Sequence, residues 1–382
     1  PSVVSLGGLF FALIVDIIIA NNIGLEKLDS VVLLISLIVA YDVLIRESFR
    51  FSLLNYFNEE NISKSVLYVL NITVVILVIV APIYSLFFSV YTFDYVSLPL
   101  SFAISFWMFA ALTISNVFIL ILTVKGVYVL VSIRNYLIPL ALALLVFIDD
   151  LLFLLVIIAV LSSVFCLYSI YIVRKSINFS LKLDFRLISM IKRLLFPAAS
   201  YGMLQGNRYF ERSLLTSNAP GTSYGLYFSS KVYSAIITVV AIPVSMVVAN
   251  KLAHSSSADK KDLIKVIMFT FFGWLLISTI SMLLIYFDMF LILFTKDIAE
   301  LLLSALPFYI LAALFGSISM QLQAYMYKYS KHRLVLFFSV ISNVLYSICL
   351  IFIGSMQDGI ELVESISYLF CLVSIYINHL IN

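Results

Sequence analysis

LLFPAASYGMLQGNRYFERSLLTS, residues Leu194 to Ser217, is a strongly apolar stretch that carries Arg208, Glu211 and Arg212 near its centre. It is long enough to cross a bilayer, which takes about 20 residues of helix. A single charge at the middle of such a helix costs roughly 2.5–3.5 kcal/mol on insertion scales. Three charges within five residues therefore need partners, water or a substrate. Spacings of three and four place Glu211 on one helical stripe with Arg208, one position from Arg212. A polar stripe inside a membrane bundle marks a transport path.

The rest of the chain supplies the membrane setting. Of 382 residues, 63% are hydrophobic and 11% charged, and the mean hydropathy is +1.15. A soluble domain carries about 25% charged residues, so the composition specifies an all-α polytopic membrane protein. Twelve spans of suitable length are expected at 3–20, 29–45, 65–92, 100–124, 127–148, 151–173, 194–217, 223–250, 266–287, 300–327, 334–354 and 362–381. Barrel strands would instead alternate over about ten residues. The first segment lacks a basic start and contains Asp16, so it does not read as a cleavable signal.

Several chemistries are excluded. Cys166, Cys349 and Cys371 sit in apolar runs as small hydrophobes, and His254, His332 and His379 are scattered without metal-ligand spacing. No phosphate loop, dinucleotide fingerprint or nucleophile elbow occurs. No catalytic residue, resident cofactor, metal or nucleic-acid partner is expected.

Basic residues alternate between loops. The even-to-odd connections hold eighteen of the 23 Lys and Arg, whereas the opposite connections hold only Lys27 and Lys296 beside eight acidic residues. By the positive-inside rule both termini face the cytoplasm. The longest and most basic connection, Arg174 to Arg193, divides the chain into six-helix lobes, 1–180 and 181–382. Asp16 and Glu211 recur in the first helix of each half, each followed by a glycine turn. Lobes entering from the same side are related by a pseudo-two-fold along the membrane normal, as in some secondary transporters.

From Gln205 the chain reads QGNRYFERSLLTSNAPGTSYGLYFSSKV and then reaches Ala241-Ile242-Pro243. This resembles the seventh and eighth helices of bacterial polysaccharide and lipid II flippases in the multidrug/oligosaccharidyl-lipid/polysaccharide exporter superfamily. Glu211-Arg212 takes the place of the seventh-helix acid–arginine pair, and Tyr224, Tyr227 and Lys231 take the later positions. Asp16 through Gly24, Asp29 and Arg46-Glu47-Ser48-Phe49 look like the first two helices of the lipid II branch. Leu322 through Lys331 and Asn343-Val344 resemble helices ten and eleven of O-antigen flippases. The lipid II branch carries arginines where this chain has Leu9 and Val15, and it commonly has fourteen helices. Both departures favour an O-antigen or exopolysaccharide unit as cargo.

The resemblance implies an undecaprenyl-diphosphate-linked oligosaccharide, flipped across a bacterial inner membrane by alternating access. Membrane lipids and polysaccharide polymerase machinery would be its partners. Arg208, Arg212 and Lys231 are the first candidates for the diphosphate, since a guanidinium offers a planar fork of donors. Arg134, Arg46 and Arg50 extend that set, although the last two also suit a positive-inside belt. Asp16, Glu211, Asp29 and Glu47 are candidates for coupling to H⁺ or Na⁺ or for pairing with arginines. Tyr201, Tyr209, Tyr224 and Tyr227 flank the charged stripe and are candidates for stacking on sugars. Pro82, Pro139, Pro197, Pro243 and Pro307 are candidate helix bends.

Three rivals remain. One is a lipid II flippase. Another is a cation-coupled multidrug exporter, which the surplus of interior positive charge disfavours. A membrane glycan polymerase or ligase would need a large outward loop with basic residues, which the sequence lacks.

Overall fold

A computed structural model describes residues 2–57, 73–92, 97–124, 130, 133–147, 150–173, 187–216, 220–236, 260–287, 289–328, 332–353 and 373. These are helical throughout apart from turns. The expected twelfth segment, 362–381, and Pro243 lie outside the described residues, save for 373. Among the described residues, five stretches are long and apolar enough to cross a membrane: Glu26–Arg46, Thr73–Val90, Leu98–Ile119, Leu151–Ile172 and Ile298–Ser319. Shorter apolar helices are Phe10–Asn22, Ile267–Leu283 and Phe337–Ile348. The chain is an all-α, multi-pass membrane protein.

It forms two compact units, Pro1–Gln205 and Gly206–Asn382. The first contains α1 (Ser2–Asn22), α2 (Leu25–Phe57), α3 (Ala81–Thr92), α4 (Leu98–Val124), α5 (Leu137–Leu145) and α6 (Leu151–Val173). α4 is its hub and packs against α2, α3 and α6, while α5 lies on α1 and α6. Small hydroxylated side chains line the hub: Ser101, Ser105, Thr113 and Ser115 on α4 and Ser162 and Ser169 on α6 are all buried. Lipid exerts no hydrophobic drive between helices, so small residues that let backbones approach provide the packing. Tyr41 anchors the α2–α4 contact, with its ring 4.5 Å from Phe109 and its hydroxyl 2.6 Å from Thr113 Oγ1.

Two prolines interrupt this unit at the places their chemistry requires. A proline lacks the N–H and crowds the carbonyl four residues back. Ahead of Pro82, residues Ile76–Val80 widen into a π turn, and the Ala81 N–H reaches back to the Ile76 carbonyl. Ahead of Pro139, residues Arg134–Tyr136 tighten into a 3₁₀ turn, with the Leu137 N–H on the Arg134 carbonyl. The segment expected as one helix over 127–148 is therefore broken at its Arg134 end. The glycines of α1 admit the far side of that break. A Cβ on Gly8 would meet the Tyr136 ring at 3.0 Å.

α7 (Leu187–Thr216) crosses the boundary between the units. It starts seven residues earlier than the apolar run suggested, so Arg208, Glu211 and Arg212 occupy its C-terminal third and not its centre. Hydropathy misplaced the start because Lys192 and Arg193 belong to the helix itself.

The second unit contains α8 (Thr222–Ile236), α9 (Lys260–Tyr286), α10 (Met289–Leu293), α11 (Lys296–Lys328) and α12 (His332–Ile353). α11 is the hub here and packs against α8, α9, α10 and α12. Trp274 of α9 donates its indole N–H to the Ile310 carbonyl at 2.7 Å. On α9 the large side chains Phe269, Phe272 and Leu276 are exposed, which suits a lipid-facing surface.

The connection into α8 depends on Gly221, whose φ is +90°. A side chain at positive φ costs roughly 1–2 kcal/mol. Gly221→Ala should therefore lose about that much stability, read as a lowered unfolding midpoint in detergent. An unchanged midpoint would mean that the turn can be built another way.

Candidate functional site

The end of α7, from Gly206 on, belongs to the second unit and carries two neighbouring stripes, each at a four-residue spacing. Asn207 and Glu211 are both buried and meet α12. Asn207 Nδ2 donates to the Asn343 carbonyl at 2.9 Å, and its Oδ1 accepts from Ser347 Oγ at 2.7 Å. Tyr346 donates its hydroxyl to Glu211 Oε2 at 2.8 Å. Residues 343, 346 and 347 share a helical face, so α7 and α12 are joined by a polar seam that satisfies groups unable to reach water.

The second stripe, Arg208 and Arg212, is half-buried. Arg212 Nη2 donates to Ser230 Oγ at 3.1 Å, and its Cζ lies 5.1 Å from the Tyr227 ring centroid. The Lys231 ammonium lies 4.5 Å from the same ring. Tyr227, Ser230 and Lys231 are three and four apart, so α8 turns all of them toward α7. That face is held in place by Leu226 and Tyr233, which pack on Ala305 and Tyr309 of α11. Two cations thus converge on one aromatic ring. Each such contact is worth roughly 0.5–2 kcal/mol, more as water is excluded.

The remaining tyrosines separate. Tyr224 is 1% exposed and packs 6.3 Å from Tyr227 and 6.4 Å from Phe228, centroid to centroid. Tyr209 is half-buried on α7, and the side chain of Tyr201 lies outside the description.

The first unit holds a second polar centre. Asp42 lies midway along α2 and is buried. Arg134, 5% exposed, grips it with both terminal nitrogens: Nη1 donates to Oδ2 at 2.8 Å and Nη2 to Oδ1. Asn116 Nδ2 adds a donor to Oδ1 at 3.0 Å. Ser115 Oγ lies 3.5 Å from Arg134 Nη2, and Arg46 Nη1 lies 3.7 Å from Oδ2. The 3₁₀ turn before Pro139 supplies the backbone from which Arg134 reaches inward. This geometry is the bidentate fork, the strongest form of carboxylate–guanidinium pairing.

Asp16 on α1 and Asp29 on α2 are also buried, at 2% and 4% exposure. Glu47 and Arg50 fall on α2, but their side chains lie outside the description. Among the described residues, no three His, Cys, Asp or Glu side chains gather as metal ligands.

Sequence reasoning grouped Arg208, Arg212 and Lys231 for a diphosphate and, separately, Tyr201, Tyr209, Tyr224 and Tyr227 for sugars; the structure brings Arg212 and Lys231 onto the Tyr227 ring. Sequence reasoning missed Asp42, Asn116, Asn207 and Tyr346. Asp42 was detectable, because it is a carboxylate within the expected span 29–45 and the test applied to Asp16 covers it. Asn116, Asn207 and Tyr346 gave no such signal, since neutral polar residues are ordinary in membrane helices.

No protein-family profile matches the sequence, and no curated protein matches it. Solved structures do. The chain is similar to a lipid II flippase, MurJ, in an inward closed conformation, with a TM-score of 0.76 and 15% identity. That match covers 99% of this chain and 86% of the other. A multidrug resistance MATE family transporter of the MOP superfamily, inward-facing, gives a TM-score of 0.65 at 14% identity, covering 98% and 96%. A MOP superfamily transporter from Pyrococcus furiosus, described as having a binding pocket of reversed polarity, gives 0.61 at 14%, covering 98% and 92%. The chain has the fold of these transporters over nearly its whole length.

Proposed function

We propose that the chain is a flippase of the MOP superfamily that carries an anionic, lipid-linked saccharide headgroup across a bacterial inner membrane. The cargo of choice is an undecaprenyl-diphosphate-linked O-antigen or exopolysaccharide unit, with lipid II as the alternative. The cycle would be alternating access of two six-helix lobes, 1–180 and 181–382, with both termini cytoplasmic. No covalent bond of the cargo changes.

The observation that carries the reading is the convergence of Arg212 and Lys231 on the Tyr227 ring, beside Arg208, in an otherwise apolar chain. Stacking on a ring uses the face of a guanidinium, whereas phosphate oxygens bind along its edge. The aromatic here holds the two cations beside one another. The fold shared with a lipid II flippase supports the same reading. A cationic drug would need a carboxylate, and of the buried ones Asp42 already holds Arg134 and Arg46 while Glu211 accepts from Tyr346.

The test places purified protein in liposomes containing either a diphosphate-linked oligosaccharide or lipid II, and follows headgroup accessibility from outside. Wild type should move one or both, and Arg212→Ala/Lys231→Ala should move neither faster than protein-free vesicles. Equal flipping by the double variant and wild type would remove the site. Export of a cationic dye without any headgroup movement would favour the multidrug reading.

A further inference from the structure

The Asp42 centre contains the parts of a small cation-binding site. Both carboxylate oxygens of Asp42 and the Ser115 hydroxyl face one position inside the first unit, which the Arg134 guanidinium fills, while the Asn116 amide NH2 donates to Asp42 Oδ1. Asn116 is 1% exposed, and its Oδ1 has no hydrogen-bond partner. Carboxylate oxygens are the ligands that a hard cation takes. A buried carboxylate in a membrane helix must be neutralised by something, and here the neutralising charge is covalently part of the chain.

We infer that Arg134 is a tethered counter-cation: it occupies permanently the place where an alkali ion or a proton would otherwise neutralise Asp42. The first unit would then run through its cycle with no ion bound or released at this carboxylate. The inference does not rest on which cargo the chain carries.

Three features of the geometry support it. The grip is bidentate, so Arg134 offers Asp42 more than one point charge and fixes its plane. Arg134 reaches the carboxylate from a 3₁₀ turn forced by Pro139, so the backbone is broken where the guanidinium must enter. Tyr136, two residues on, is seated against Gly7 and Gly8 of α1, where a Cβ would approach the tyrosine within 2.7 and 3.0 Å. The turn that carries Arg134 is thereby fixed on its far side as well. Among the described residues, Arg46 and Tyr41 also interact with this carboxylate, and Cys166 interacts with Arg134.

The experiment compares full-length protein in detergent, with sodium chloride against choline chloride, at neutral and at mildly acidic pH. Wild type should unfold at the same midpoint in both salts at constant ionic strength. Arg134→Ala should unfold several degrees lower in choline at neutral pH and regain part of the loss with sodium or on acidification. Sodium and the proton would be taking over the vacated role. Asp42→Asn/Arg134→Gln should lose all dependence on the cation, because the charge to be neutralised is gone; this pair keeps the test informative if Arg134→Ala folds poorly. A wild-type midpoint that rises with sodium, and stops doing so in Asp42→Asn, would overturn the inference. So would an Arg134→Ala protein indifferent to both sodium and pH. Headgroup flipping enters none of these readouts, so failure here and failure of the flippase reading are separate results.

Discussion

Asp42→Ala is expected to destabilise the first unit by about 3–5 kcal/mol, the usual cost of removing one partner from a buried ion pair. The loss comes less from the missing attraction than from the Arg134 guanidinium left behind, 5% exposed. Arg46 cannot replace the carboxylate because it carries the same sign. Asn116 would lose its side-chain acceptor too and keep only the longer bond to the backbone carbonyl of residue 42, at 3.4 Å. Folded proteins have only about 5–15 kcal/mol in hand, so the variant should show a sharply lowered midpoint and poor extraction in folded form. Asp42→Ala/Arg134→Met should recover most of the loss, since replacing both members of a buried pair by apolar groups is often neutral or better. The measurement is thermal unfolding of all three proteins in the same detergent. A single variant within about 0.5 kcal/mol of wild type, the range of ordinary surface changes, would mean that the pair is not buried as described.

The second large effect concerns headgroup affinity. Hydrogen bonds to charged groups contribute roughly 1.5–3 kcal/mol each. Losing Arg212 and Lys231 together should therefore weaken binding of a diphosphate-linked headgroup by about two orders of magnitude or more, at 1.4 kcal/mol per factor of ten. Each single variant should lose roughly tenfold or more. Tyr227→Leu separates positioning from charge. It keeps both cations and removes the ring that orders them, so the expected loss is about 0.5–2 kcal/mol, the size of the cation–π contact. Binding titrations in nanodiscs, with lipid-linked diphosphate against an uncharged lipid, would read all four proteins. If Tyr227→Leu proves as damaging as the double variant, the ring itself contacts cargo and the cations are secondary.

How far these features were legible depends on the range of the interaction that makes them. The span expected at 151–173 is α6, Leu151–Val173, because a continuous apolar run reports directly on membrane burial. Asp150 accepts the Leu152 N–H at 2.8 Å and marks its start. The start of α7 was missed because a helix extending past the apolar layer is held by backbone hydrogen bonds, which hydropathy does not register. Tyr227, Ser230 and Lys231 share a face through helical spacing of three and four, but Ser230 gave no signal of its own and joined them only through its bond from Arg212. Asp42 and Arg134, in contrast, are 92 positions apart, and Glu211 and Tyr346 are 135 apart. Nothing in a single sequence says which helices become neighbours. Asn343 stood out only through a resemblance, and its partnership with Asn207 emerged from the packing of α7 on α12. Pro82 and Pro139 signalled that helices would deviate; whether the turn widens or tightens depended on the neighbours it had to meet.

The pairing of Asp42 with Arg134 also bears on voltage. Moving one elementary charge through the full membrane potential is worth about 2.3 kcal/mol per 100 mV. A carboxylate and a guanidinium clasped together travel as a dipole of no net charge, so a displacement of α2 and the turn before α5 would be electrically silent at this point. Arg212 and Lys231 have no such cancellation from each other. The Asp42–Arg134 pair would contribute nothing to an electrical signature of turnover.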